Sequence, residues 1–368
     1  MHLASGDLWA GAEVQLYTLA KRLHKTTDTA VTVVLLNHGR LEQQLLSEGI
    51  AVTVLDETRL NGLQIFVRLV KLLKEVRPDV VHTHRLKENI LGSLAALLAG
   101  NIPSIRTVHG APEYHVPWRK LTKKMIHICD GWCGRYLQKR IVAVTYDLEA
   151  ILATSFPRTK LTVIENGIEI ETISGTNSPQ RRTKSTNKID IAFAGRLVPI
   201  KRVDLVIETA KYLQDNHPDL EITFHIFGDG PLKEPLETLS QNCGTEKIVR
   251  FEGHCDDIYP KLKEMDILLM TSDHEGLPMI LLEAMALRLA IVAHAVGGIP
   301  RLLDNGECGE LVSDQNSARY GEAIANLINS PAERECITES AFSRLKIAYT
   351  AERNAMAYDK IYRAISNS

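Results

Sequence analysis

Long apolar runs are missing from this sequence. The longest mostly apolar stretch, Ile90 to Gly100, falls far short of the roughly 20 residues that a membrane-spanning helix needs. No secretory signal precedes the first helical pattern, so a cytoplasmic chain is expected. Cysteine is sparse and unpatterned, six in 368 residues with no Cys-x-x-Cys. Cys129 and Cys133 stand one helical turn apart but lack histidines at ligand spacing. The cysteines therefore read as reduced thiols, and no structural metal is expected. Low-complexity segments are absent as well, and 45% apolar with 24% charged residues is the composition of a globular protein. The formal net charge is only −2, and nucleic acid is not expected as a partner. That small sum conceals an asymmetry. The first 170 residues hold more Lys and Arg than Asp and Glu, and the remainder holds more acids than bases. Halves of opposite charge would do different jobs, although random drift of surface charge explains the asymmetry as well.

The length leaves room for two domains of ordinary size. Strands are expected at 1–5, 31–36, 51–55, 80–83, 104–108, 141–144 and 161–164. The first is so short that the chain could start late. Helical patterns fall between them, including a long basic one over 116–140. Residues 171–188 are Ser, Thr, Asn, Pro and basic residues with almost nothing apolar, and read as an interdomain connection exposing Arg181, Arg182 and Lys184. The alternation restarts with strands at 189–194, 221–227, 248–251, 267–270 and 290–293, and three helical stretches finish the chain. Strands alternating with helices predict two Rossmann-like doubly wound parallel-sheet domains, 1–170 and 189–348. A last helix within 349–368 is expected to pack back on the first domain.

The most informative stretch runs from Asp266 to Leu303. Ile267-Leu-Leu-Met270 reads as a strand covered on both faces. A polar loop to Gly276 follows at its carboxyl end, and Pro278 suits the first position of a helix. Open α/β sheets bind ligands there, where a helix start offers free N–H groups to anions. Apolar residues surround Glu283 on every side of that helix, and an unpartnered buried charge costs several kcal/mol, so Glu283 needs a partner. Glu275 faces the same mouth. Two carboxylates and a helix start suit a hydroxyl-rich, phosphate-bearing ligand.

Two further strand ends carry turns of interest. Gly195-Arg-Leu-Val-Pro-Ile-Lys201 puts Arg196 and Lys201 after a buried strand, and both cations suit phosphate. A solvated loop accounts for the same residues. Phe227-Gly-Asp-Gly-Pro231 is neither GxGxxG nor a P-loop, and a tight strand-to-helix turn explains its glycines nearly as well.

Taken in order, these two segments, Glu275–Glu283 and Val296-Gly-Gly-Ile-Pro300 resemble the successive signatures of glycosyltransferase family 4, retaining enzymes of the two-domain GT-B fold. Ala10-Gly-Ala-Glu13 and Thr107-Val-His-Gly110 extend the resemblance over essentially the whole chain. It implies that Arg196 and Lys201 hold the donor's diphosphate and that Glu283 bonds the ribose. Glu275 would address the transferred sugar. Gly276, Leu277, Pro278, Met279 and Gly228 would line the donor site. By the same resemblance, Gly11 approaches the diphosphate by its backbone, and His109 faces the sugar across the cleft. Four positions depart from the family pattern. Ala10 replaces a glycine, Ile200 and Arg301 replace acids, and Arg288-Leu-Ala290 replaces Gly-x-Pro. None removes a cation or carboxylate just named.

The implied activity is hexosyl transfer from a nucleotide-diphosphate sugar to a glycan or lipid-linked glycan in cell-envelope polysaccharide or lipopolysaccharide synthesis. A UDP-sugar is the favoured donor and GDP-mannose the alternative. No cofactor is expected, because Arg196, Lys201 and the helix start stabilise the leaving diphosphate without a metal. A GT-B nucleotide-sugar epimerase and a non-catalytic nucleotide-sugar-binding subunit are the rival readings. The 116–140 stretch has seven Lys and Arg against one acid, with Leu121, Met125, Ile128, Trp132 and Tyr136 at helical spacing. The favoured expectation packs that stripe on the sheet under a solvated basic face. The other lays the helix on an anionic membrane, which would place the protein peripherally at the inner face of the plasma membrane.

Overall fold

The computed structural model describes residues 1–6, 9–26, 28–110, 121–175 and 188–366, and the side chains of all these except 121–124. It divides into two compact units, Met1–Ile168 with Tyr349–Ser368, and Glu169–Ala348.

The first unit alternates strand and helix: β1 (His2–Ala4), α1 (Gly11–Thr26), β2 (Thr32–Leu35), α2 (Arg40–Ser47), β3 (Ala51–Val54), α3 (Gly62–Val76), β4 (Val81–Thr83), α4 (Leu86–Gly100), β5 (Ser104–Val108), α5 (Leu121–Trp132), β6 (Gln138–Ala143), α6 (Tyr146–Leu152) and β7 (Leu161–Val163). All seven strands are parallel, in the order β3-β2-β1-β4-β5-β6-β7. The order reverses between β1 and β4, the place where such sheets open a crevice at their carboxyl ends. Local chemistry sets the helix limits. Asn61 and Gln64 form a reciprocal capping box at the start of α3, and Arg77 closes it in the left-handed region at φ 50°.

The second unit continues with α7 (Ile170–Ser174), β8 (Ile189–Ala194), α8 (Val203–Asn216), β9 (Ile222–Phe227), α9 (Lys233–Cys243), β10 (Val249–Gly253), α10 (Tyr259–Leu262), β11 (Ile267–Met270), α11 (Met279–Ala286), β12 (Ala290–His294), α12 (Ile299–Leu302), β13 (Glu310–Val312), α13 (Ser317–Asn329) and α14 (Pro331–Ala348). Its parallel sheet runs β10-β9-β8-β11-β12-β13, so the reversal falls between β8 and β11. Ile191, Phe193, Ile267, Leu269 and Val292 are buried together with the inner faces of α8 and α13. The final helix, α15 (Ala351–Ser366), belongs to the first unit and buries Ala355, Tyr358 and Ile365 in the α1 side of its core. The two sheets confirm the α/β architecture expected from the alternation.

Several expectations need correction. The basic helix stops at Trp132 and passes through a π-helical turn, Cys133–Leu137, into β6, which begins at Gln138 and not at 141. Helices α6 and α7 were not anticipated, and α7 takes up the first residues of the stretch read as a connection. Arg181, Arg182 and Lys184 lie outside the described residues, as do the side chains of Leu121, Lys123 and Lys124 and all of Arg119 and Lys120. Pro278 caps α11 in an extended conformation (φ −71°, ψ 123°), and Met279 is the first helical residue.

The largest reversal concerns the face of α5. Met125, Ile128, Trp132 and Tyr136 are 64%, 62%, 48% and 64% exposed, so these four residues of the stripe do not pack on the sheet. Among the described side chains, the one α5 buries is polar. Asp130, 1% exposed, accepts from Asn89 Nδ2 at 2.6 Å and pairs with Arg106, itself buried. Gly134 lies on the Phe156 ring so closely that a Cβ would be 2.4 Å from it.

Candidate active site

In the second unit the residues singled out by sequence gather at the carboxyl ends of β8 and β11, on either side of the strand-order reversal. β8 ends at Ala194 and the chain turns through Gly195 to Val198, then through a single 3-10 turn at Pro199–Lys201. Two neighbours shape that turn. Leu197 N–H donates to the Asp229 carbonyl at 3.0 Å, and Gly195 N–H to that of Phe227 at 3.0 Å. Gly228, at φ 137°, lies so close that a Cβ would come within 1.9 Å of the Gly195 carbonyl oxygen. Gly228 therefore shapes the loop that carries Arg196, and a side chain there would displace it. Arg196 is exposed and has no ion-pair partner among the described residues.

Across the reversal, the loop after β11 is tied to the same turn. Thr271 Oγ1 donates to the carbonyls of Lys201 and Arg202 at 3.0 and 2.9 Å, and Asp273 N–H to that of Ile200 at 2.8 Å. Lys201 Nζ meets Glu275 Oε1 at 2.5 Å, with side chains 24% and 11% exposed. A charge-assisted bond of this kind positions both partners while leaving part of the ammonium open. Glu275 is held from beneath as well. Gly297, at φ 54°, approaches its carbonyl so closely that a Cβ would be 1.9 Å away, and Gly298 N–H donates to the Gly276 carbonyl at 3.1 Å.

Gly276 and Leu277 lead from that loop to Pro278 and α11. No side chain caps this helix start, so anion-binding capacity is left at the N-terminus. Glu283 lies in the second turn, buried among Leu281, Leu282, Ala284 and Met285. Its partner is the Tyr259 hydroxyl on α10, which donates to Oε1 at 3.3 Å. Burial pushes the Glu283 carboxyl from 4.5 up to about 7, and the tyrosine bond offsets only part of that shift. Nothing in the sequence pattern links position 259 to 283, so Tyr259 was missed. The Gly297 contact was legible as a motif but not as a role.

Gly11 and His109 belong to the first unit. Gly11 is exposed and opens α1, beside the β1–β4 reversal. His109 follows β5 directly, and its Nε2 lies 3.3 Å from Nδ1 of His84. Burial, with the Arg85 cation adding to it, lowers His109 to about 4 and keeps the ring neutral. A cavity of about 420 Å³ lies elsewhere, at the amino ends of β1, β2 and β4, and none of the expected residues lines it.

Cations at one strand end, a paired carboxylate at the next and an uncapped helix start thus gather at the strand-order reversal of a doubly wound sheet. Residues 9–172 match the family model Glycosyltransferase Family 4, and residues 175–344 match Glycosyl transferases group 1. The chain belongs to glycosyltransferase family 4, of GT-B fold, and is a glycosyltransferase. It is similar, at 29% identity over 260 residues, to the UDP-Gal:alpha-D-GlcNAc-diphosphoundecaprenol alpha-1,3-galactosyltransferase of Escherichia coli, covering 69% of this chain and 67% of that one. It is 25% identical over 296 residues to glycogen synthase of Mycobacterium tuberculosis, covering 78% and 69%. Among solved structures, Anabaena HepE in complex with UDP and glucose matches with a TM-score of 0.82 at 19% identity, over 98% of both chains.

Proposed function

We propose that the chain is a retaining, metal-independent hexosyltransferase that takes its sugar from a UDP-sugar and delivers it to a glycan or lipid-linked acceptor in cell-envelope polysaccharide or lipopolysaccharide synthesis. The observation that carries the reading is the Lys201–Glu275 pair beside the unpaired Arg196 at the β8–β11 reversal. Breaking a sugar–phosphate bond puts negative charge on the departing diphosphate. Arg196, the open part of Lys201 and the N–H groups at the start of α11 supply matching positive charge in a fixed arrangement. Glu275, oriented by Lys201, addresses hydroxyls of the transferred sugar. The Glu283 carboxylate accepts from the ribose hydroxyls, which add to the Tyr259 bond that alone offsets only part of its burial. Gly11 and His109 act on the same donor. The acceptor's proton goes to the leaving phosphate, so no side chain is assigned as general base.

A lipid-linked acceptor has support of its own. The E. coli relative's name specifies a diphosphoundecaprenol acceptor, and α5 turns its apolar stripe outward with Arg135, Lys139 and Arg140 exposed in the same segment. Among the described residues no helix is long and apolar enough to cross a membrane. Peripheral attachment to an anionic leaflet at the cytoplasmic face fits these features.

A panel of nucleotide sugars, read by thermal stabilisation and by slow donor hydrolysis, tests the reading. UDP-sugars are expected to stabilise the protein and be hydrolysed without added metal. Arg196→Ala should lower hydrolysis about a hundredfold, equivalent to about 3 kcal/mol of leaving-group stabilisation. Unchanged binding and turnover in both Arg196→Ala and Glu283→Ala would overturn it.

A further inference from the structure

Three histidines of the first unit form a hydrogen-bonded chain along its sheet. His2 lies in β1, His84 follows β4, and His109 follows β5, and these three strands are neighbours. His84 Nδ1 lies 3.3 Å from His109 Nε2, and His84 Nε2 lies 3.1 Å from His2 Nδ1. The rings are stacked in sequence, at 18° between His2 and His84 and 22° between His84 and His109. Nitrogens of His2, His82 and His84 also fall within 4.8 Å of one another, a spacing open to a metal. Hydrogen bonds already occupy both nitrogens of His82 and of His84 and Nδ1 of His2. His82 Nδ1 meets the Tyr362 hydroxyl at 2.7 Å and Nε2 the Thr107 hydroxyl at 2.8 Å, while His2 and His84 use each other.

We propose that His84 is a positioning residue for His109, holding its Nε2 so that Nδ1 is the ring nitrogen offered to the donor sugar. The proposal rests on the assignment of His109 to the donor. A neutral imidazole has one donor and one acceptor nitrogen, so the tautomer of each ring in the chain sets that of the next. Burial keeps His2 and His84 uncharged, lowering both well below 6.5. Charged and titratable groups around the chain are the Met1 amino group, the Glu13–Arg85 ion pair, His82, Tyr358 and Tyr362. With its Nε2 engaged, His109 presents one defined hydrogen-bonding character through Nδ1 and not a mixture.

Nitrogen NMR of 15N-histidine-labelled whole chain reads the tautomers directly, with His109→Ala assigning the resonance. His109 should show one tautomer in the parent protein and both in His84→Ala. An Asn side chain overlays Nδ1 of the histidine it replaces and a Gln overlays Nε2. His84→Asn should therefore restore the single tautomer and His84→Gln should not. With UDP-glucose as donor, His84→Ala and His84→Gln should lower kcat for hydrolysis about tenfold or more, with KM little changed and His84→Asn close to the parent. Thermal melts identify variants that have merely lost the fold. A His109 tautomer unaltered in His84→Ala, or Asn and Gln variants that behave alike, would overturn the proposal. If His109→Ala leaves hydrolysis intact, it is the assignment of His109 to the donor that fails, and the nitrogen shifts still decide the His84 link.

Discussion

Glu283 lowers folding stability at neutral pH, a cost set against the donor contact proposed for it. Its folded pKa of about 7 lies above the 4.5 of an open carboxyl because burial disfavours the charge. Below about 4.5 the group is protonated in both folded and unfolded states and costs nothing. Between 4.5 and 7 the folded state holds a proton that the unfolded state has released. Stability therefore falls as pH rises through this window, and the penalty is complete above 7, at about 3 kcal/mol. Glu283→Gln should melt close to the parent at pH 5 and clearly above it at pH 8, while losing nucleotide affinity. Parallel melting curves for the two proteins across that range would refute the account. The sequence showed the buried position of Glu283 through its apolar surroundings, and it called for a partner. It could not identify Tyr259, because the bond joins two helices through a tertiary contact without local periodicity.

Glycine has separable roles in the second unit, and two positions distinguish them. Gly244 caps α9 at φ 67° with nothing within 4 Å of where a Cβ would stand, whereas Gly297 at φ 54° lies against the Glu275 carbonyl. An alanine at either site costs about 1–2 kcal/mol in the left-handed region. Only at Gly297 would the methyl also displace the loop that carries Glu275. Gly244→Ala should lower the melting temperature slightly and keep donor hydrolysis, while Gly297→Ala should lose hydrolysis with the fold retained. Equal hydrolysis in the two variants would remove Gly297 from the support of the site. Strands were the most legible elements. β5, β8 and β11 lie where their apolar runs placed them, because a buried parallel strand between turn residues has few alternative readings. Short helices were not. α6 rests on the Thr145 side chain accepting from Leu148 N–H, with Asp147 and Glu149 in its first turn. That capping signal was present, but seven residues give too little periodicity to declare a helix.

At the scale of the whole molecule, the basic first half and the outward stripe of α5 bear on the proposed peripheral attachment. Periodicity announced an amphipathic helix over this segment but could not say which face the core would take. The buried Asn89–Asp130–Arg106 network took the polar face inward, and Met125, Ile128, Trp132 and Tyr136 were left outside. Each exposed basic side chain near an anionic leaflet contributes about 1 kcal/mol at low salt, and insertion of the apolar stripe adds about 25 cal/mol per Å² removed from water. Flotation with vesicles of phosphatidylglycerol and of phosphatidylcholine separates these contributions. Binding should be stronger to the anionic vesicles and weaken as salt rises. Ile128→Asp should weaken attachment to both, and Lys139→Glu with Arg140→Glu should remove mainly the salt-sensitive part. Equal weak binding to both vesicle types in the parent protein would exclude membrane attachment through α5, and a lipid-linked acceptor would then have to reach the enzyme by another surface.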